Sequence, residues 1–151
     1  MTDAPAPFAP ARKLLEQGIA FVQRSGLTVD RLERGRVVCR MPFAGNGNHI
    51  GTMYAGALFT LAEIPGGALF LTSFDSSRFY PVVKALNLKF LRPVKGDVTV
   101  EAVLDEARIS AIEAEAAAQG KAEFTLNLDL RDGSGTVVAS SEGIYQIRKI
   151  S

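Results

Sequence analysis

Between Lys121 and Arg131 apolar and polar residues alternate without a break. Ala122, Phe124, Leu126, Leu128 and Leu130 fall on one side, and Lys121, Glu123, Thr125, Asn127, Asp129 and Arg131 on the other. A period of two marks a strand with one packed face and one wetter face. Further β-like stretches run over Val82 to Leu91, Asp97 to Ala107 and Thr136 to Arg148, and earlier over LTVDRL and RVVCRMPF between Leu27 and Pro42. Glu33-Arg34-Gly35 and Asp132-Gly133-Ser134-Gly135 supply the glycines that hairpin turns want.

Helical spacing appears in three places. Ala11, Leu14, Leu15, Gly18, Ile19 and Val22 predict one amphipathic helix over residues 11–25, stopped at Ser25-Gly26 and preceded by a flexible Pro- and Ala-rich arm over residues 1–10. From about Thr52 to Phe74 the chain is apolar nearly all round, so this helix has to be covered on every side. Pro65 removes a bond to the Leu61 carbonyl and predicts a bend, while Gly66 and Gly67 allow close packing. The run SAIEAEAAAQG reads as a short helix inside a strand connection. The order predicts one α+β domain over residues 1–151, with a six-stranded antiparallel sheet wrapped around the long helix.

Composition removes several classes of function. At 151 residues, 47% hydrophobic and 22% charged, the chain is outside the range of disordered, collagenous and disulfide-scaffold sequences. Seventeen Lys and Arg against sixteen Asp and Glu leave a formal charge of +1, too little to hold nucleic acid. One cysteine, Cys39, and one histidine rule out an internal disulfide and the usual zinc ligand sets, so no metal is expected. The start MTDAPAPFAPARK has no signal-peptide core, and the stretch Ala57 to Phe74 carries Glu63 and Pro65-Gly66-Gly67, so no membrane span is expected either. A cytoplasmic protein is the expectation. No phosphate loop or dinucleotide fingerprint is present, and Ser, Cys and Tyr lack an adjacent base that would make them nucleophiles.

The candidate chemistry lies in NHIGTMYAGALFTLAE, residues 48–63. A Gly- and Asn-rich loop delivers the chain to a helix start whose first peptide groups, near Tyr54, Ala55 and Gly56, offer unbonded N–H donors and the positive end of the helix dipole. Such donors suit a carbonyl oxygen that becomes an oxyanion in acyl transfer, although Ala-Gly-Ala at 55–57 equally suits close helix–sheet packing. Glu63 sits among Leu61, Ala62 and Ile64, where desolvation raises its pKa and makes it a better base; a helix-surface or interface carboxylate is the plainer alternative. Eight residues separate Ala55 from Glu63, or about 12 Å along a helix. If both act on one substrate they come from different subunits, with the long helices antiparallel across a two-fold axis.

At these residues the chain resembles the hotdog-fold acyl-CoA thioesterases. It carries N-x-x-G-T-x-[HY]-[GA]-G, followed seven residues after the last glycine by an acid. The similarity is to the phenylacetate-pathway and human-type superfamily, and within it to the YiiD C-terminal-like group, over about residues 25–149, including LKFLRPVKGD. The resemblance implies a hotdog fold and an acyl-CoA substrate, with coenzyme A as its only cofactor-like part. From the separation of Ala55 and Glu63, a homodimer is the expected minimal active unit, with a homotetramer as the larger alternative. Carried over by the resemblance, Asn48 would hold the thioester or the loop, the Ala55 N–H would polarise the carbonyl, and Glu63 of the partner subunit would activate water or attack directly. Tyr54-Ala55-Gly56 stands for the commoner His-Gly-Gly, and Val83 where some relatives place a serine that orients the water.

Lys84, Arg92 and Lys95 are candidates for the phosphates or the pantetheine arm of coenzyme A, with solvated charges as the alternative. An acyl pocket from Phe59, Phe70 and Phe90 suits either an aliphatic or an aromatic acyl group. His49, fourteen residues before Glu63, has the His-to-Glu spacing of hotdog hydroxyacyl dehydratases, but the glycine preceding the acid is in a different register. A hydratase or dehydratase and a non-catalytic acyl-CoA binding protein are therefore the rival readings.

Overall fold

The computed structural model describes residues 7–151, so most of the expected N-terminal arm lies outside the described residues. The helix expected over residues 11–25 is two helices, α1 (Ala9–Gln17) and α2 (Ala20–Ser25). The Gly18 N–H closes α1 on the Leu14 carbonyl at 2.8 Å, and the extended Ile19 restarts the chain as α2. Gly26 at φ 78° then ends α2.

Strands β1 (Thr28–Glu33) and β2 (Arg36–Met41) form the hairpin that Gly35 turns. The long helix α3 spans Ala55–Ser73 and runs unbroken through Pro65. It starts three residues later than its composition suggests, because the Met53 and Tyr54 N–H groups donate to the carbonyls of Val94 and Asn46 instead of entering a helix. Strand β3 (Phe79–Phe90) begins earlier than expected and carries Pro81. It tolerates the missing N–H because it is an edge strand. Strand β4 (Val98–Val103) stops short of the expected Ala107, since Asp105 accepts the Arg108 N–H at 2.8 Å and caps α4 (Glu106–Gln119). Strands β5 (Lys121–Arg131) and β6 (Val137–Lys149) complete the chain.

The sheet is antiparallel throughout, in the order β1-β2-β4-β5-β6-β3. It wraps around α3, which makes this the hotdog architecture that the resemblance implies. The expected alternation on β5 holds: Ala122, Phe124, Leu126, Leu128 and Leu130 are all buried. The seam between β4 and β5 is short, with only Thr99↔Arg131 and Val100↔Leu130 in register. To either side of it the ladders β1-β2-β4 and β5-β6-β3 are long.

Thirteen of the nineteen residues of α3 are buried. Its less buried positions after the first residue, Gly56, Phe59, Glu63, Gly67 and Leu71, recur every three or four residues and form a single stripe. By length and hydropathy α3 is able to cross a membrane, yet 67% of its most apolar window is buried inside this domain. Phe70 faces the core and stacks on Phe74 at 6.2 Å, whereas Phe59 and Phe90 are exposed.

α3 approaches the sheet closely at Gly66, where an added Cβ would lie 2.2 Å from the Tyr145 ring. That ring is held from behind by Phe124, 5.7 Å away and stacked on it. The better helix propensity of alanine is therefore outweighed by overpacking. Gly66→Ala is expected to lower unfolding stability by about 1–3 kcal/mol, measured by urea denaturation.

Candidate active site

The loop before α3 is shaped by two asparagines. Asn48 accepts the Ile50 and Thr52 N–H groups on its Oδ1, both at 3.0 Å, and donates its Nδ2 to Thr52 Oγ1 at 2.8 Å. Its amide is committed to the loop. Asn46 was not singled out by the sequence, yet it joins three segments. Its Nδ2 donates to the carbonyls of Ser25 and Pro42, both at 2.8 Å, and its own carbonyl accepts the Tyr54 N–H at 2.8 Å. The repeated Gly-Asn pairs of GNGNHIG are the only local signal for it, and its partners are remote in sequence.

These bonds decide which donors of the helix start are free. Tyr54 is spent on Asn46, which corrects the expectation that its N–H is available. Ala55 and Gly56 have no acceptor among the described residues. Gly56 lies under the Tyr54 ring, where an added Cβ would come within 2.4 Å, and the ring itself is 57% exposed. Ala55 instead lines a cavity of about 330 Å³, together with Asn48, Thr52, Leu58, Phe90 and Arg92. The residue with the open donor therefore lies in the mixed apolar and polar wall of a cavity.

Arg92 is exposed and has no ion-pair partner among the described residues. Lys95, also exposed, follows it on the same loop. Lys84 occupies the irregularity where the β3–β6 register shifts between Val83 and Ala85. His49 is exposed on the loop, outside the residues that line the cavity. Val83, an apolar residue 45% exposed, sits directly opposite Tyr145 on β6.

Glu63 lies on the half-buried stripe of α3, about 12 Å along the helix from Ala55. Its carboxylate has no hydrogen-bond or ion-pair partner among the described residues, and burial raises its pKa above the usual glutamate value. The site residues thus fall into two groups on one subunit: a free donor at a cavity wall, and an unpartnered carboxylate two turns away.

A raised carboxyl pKa means that the folded state holds its proton to higher pH than the unfolded state does. Between the two values folding stability falls as pH rises, and the deficit persists at neutral pH. Glu63→Gln is therefore expected to be more stable than wild type at pH 7, with the difference vanishing below the ordinary glutamate pKa of about 4.3. Melting curves of both proteins from pH 4 to 8 measure this, and equal stability throughout would contradict it.

With the geometry in place, comparison with known proteins places the chain. No curated protein matches it. A crystal structure from Pseudomonas aeruginosa, of a protein described as of unknown function and a probable thioesterase, is 62% identical, with a TM-score of 0.92 over 97% of this chain and 98% of that one. A Chlorobaculum tepidum protein of unknown function superposes with a TM-score of 0.80 at 18% identity, covering 93% of each chain. A Haemophilus influenzae thioesterase superposes at 0.69, also at 18% identity, over 92% of this chain and 88% of its own. The last two share the fold. The model of the family described as a domain of unknown function, DUF4442, matches residues 12–145, and the chain belongs to that family.

Proposed function

We propose that this chain hydrolyses an acyl-CoA thioester to the free acid and coenzyme A, as a homodimer in which each active site combines residues of both subunits. One observation carries the reading. A free oxyanion donor and a carboxylate with no internal partner lie on the same helix but about 12 Å apart, too far to act on one carbonyl. Two copies with α3 antiparallel across a two-fold axis bring each helix start beside the other copy's Glu63.

The surfaces around these groups support such a pairing. The α3 stripe leaves Phe59 44% exposed. Beside it β3 offers a free edge of twelve residues, with Val83 and Phe90 45% and 54% exposed. An apolar strand edge with unpaired N–H and C=O groups is a template for a second copy. Thioester hydrolysis in general is further supported by the 62% identity to the probable thioesterase of Pseudomonas aeruginosa.

In this scheme the thioester carbonyl points at the Ala55 N–H, where the helix dipole stabilises the negative charge that develops on oxygen. Glu63 of the partner subunit takes a proton from water as the new C–O bond forms. The C–S bond then breaks, and the proton returns to the leaving thiolate. Asn48 fixes the loop that aims the donor. Arg92, with Lys95 beside it and Lys84 at the β3 irregularity, provides cations for the phosphates of coenzyme A. Tyr54 covers Gly56.

Free-thiol release from acetyl-, octanoyl-, palmitoyl- and phenylacetyl-CoA tests the activity. Wild type is expected to hydrolyse at least one of them, and Glu63→Gln to be slower by roughly a hundredfold, the scale for losing a general base. No release from any of the four would overturn the reading.

The shared site has its own test. Ala55→Pro removes the donor at a helix position where proline fits well, so the fold is expected to persist. Glu63→Gln and Ala55→Pro should each retain on the order of a hundredth of wild-type activity or less alone. Unfolded and refolded together, they should regain about a quarter of wild-type activity, because half the dimers then carry one intact site of two. A mixture no more active than its parts would show that the two groups do not meet across subunits.

A further inference from the structure

Buried on the sheet directly beneath Glu63 is a hydroxyl that the scheme above does not use. Tyr145 is 5% exposed and projects from β6 toward α3, between Val83 of β3 and Phe124 of β5. Space for its ring is made by two glycines: a Cβ added at Gly66 would come within 2.2 Å of the ring, and one at Gly143 within 2.6 Å. For packing alone, a phenylalanine would serve here as well, since the ring lies on Phe124. A buried phenol costs free energy unless its hydroxyl finds a partner. Among the described residues that partner is the backbone carbonyl of Glu63, 3.5 Å from the phenol oxygen.

We propose that Tyr145 is the positioning residue of Glu63, its hydroxyl holding the Glu63 carbonyl and with it the turn of α3 from which the carboxylate projects. This rests on the reading of Glu63 as the base of a thioesterase. The placement also bears on the apolar residue at position 83. Tyr145 is the cross-strand neighbour of Val83, on the same face. The phenol stays protonated through the working range, since burial and the nearby Glu63 charge both raise its pKa, and it remains a donor.

Tyr145→Phe removes the hydroxyl and keeps the ring, and a double-mutant cycle with Glu63→Gln separates the proposed role from a packing role. With whichever of the four acyl-CoAs wild type hydrolyses best, Tyr145→Phe is expected to lower kcat by about three- to tenfold, the scale of one hydrogen bond, and to leave KM within about twofold. In the Glu63→Gln background the same change should have no further effect. Unchanged kcat in Tyr145→Phe would overturn the proposal. So would an equal fold-loss in both backgrounds, which marks a structural contribution that does not pass through Glu63. A wild type inactive on all four thioesters would instead overturn the thioesterase reading, and this inference with it.

Discussion

The constraint on which the molecule depends is the burial of α3. A nineteen-residue helix that is apolar on nearly every side has no stable existence in water, and the sheet curves because it has to enclose that helix. The enclosure is incomplete along one stripe. There the helix carries two glycines, a phenylalanine, a leucine and one carboxylate. The face that the sheet leaves uncovered is the face that carries Glu63, so the packing problem and the chemistry concern the same residues.

The start of the same helix follows a similar logic. Its first turn has donors that no intrahelical bond can satisfy. The loop uses one of them, at Tyr54, as a structural tie to Asn46, and leaves open the donor of Ala55, a residue that lines a cavity. Asn46 and Asn48 spend their amides on the backbone around them, so the position of the open donor is set by a network of short bonds. A preorganised donor of this kind needs little rearrangement when charge develops beside it.

Much of this was legible in the sequence, and the limits have physical causes. The alternation on β5 and the apolar run of α3 are local patterns, and both appear as read. Glu63 stood out because a carboxylate among aliphatic residues is uncommon. What the sequence hid depends on partners distant along the chain. The late start of α3 is caused by bonds to Val94 and Asn46, and the role of Tyr145 by a register that places it opposite Val83 and under Glu63. The break between α1 and α2 had a local signal in Gly18, but the helical spacing of apolar residues continues across it and masked the interruption.

The seam between β4 and β5 gives the architecture a mechanical character that the word sheet conceals. With two residue pairs in register there, the six strands amount to two long-laddered ribbons joined at a short seam. Hydrogen bonds along so short a junction carry little cooperativity, whereas α3 packs against β2 and β4 on one side and against β3, β5 and β6 on the other. The helix is thus the keel to which both halves are fastened. Loosening its packing frees the two ribbons from each other, so the unity of the domain resides in a side-chain interface and only secondarily in its backbone ladder.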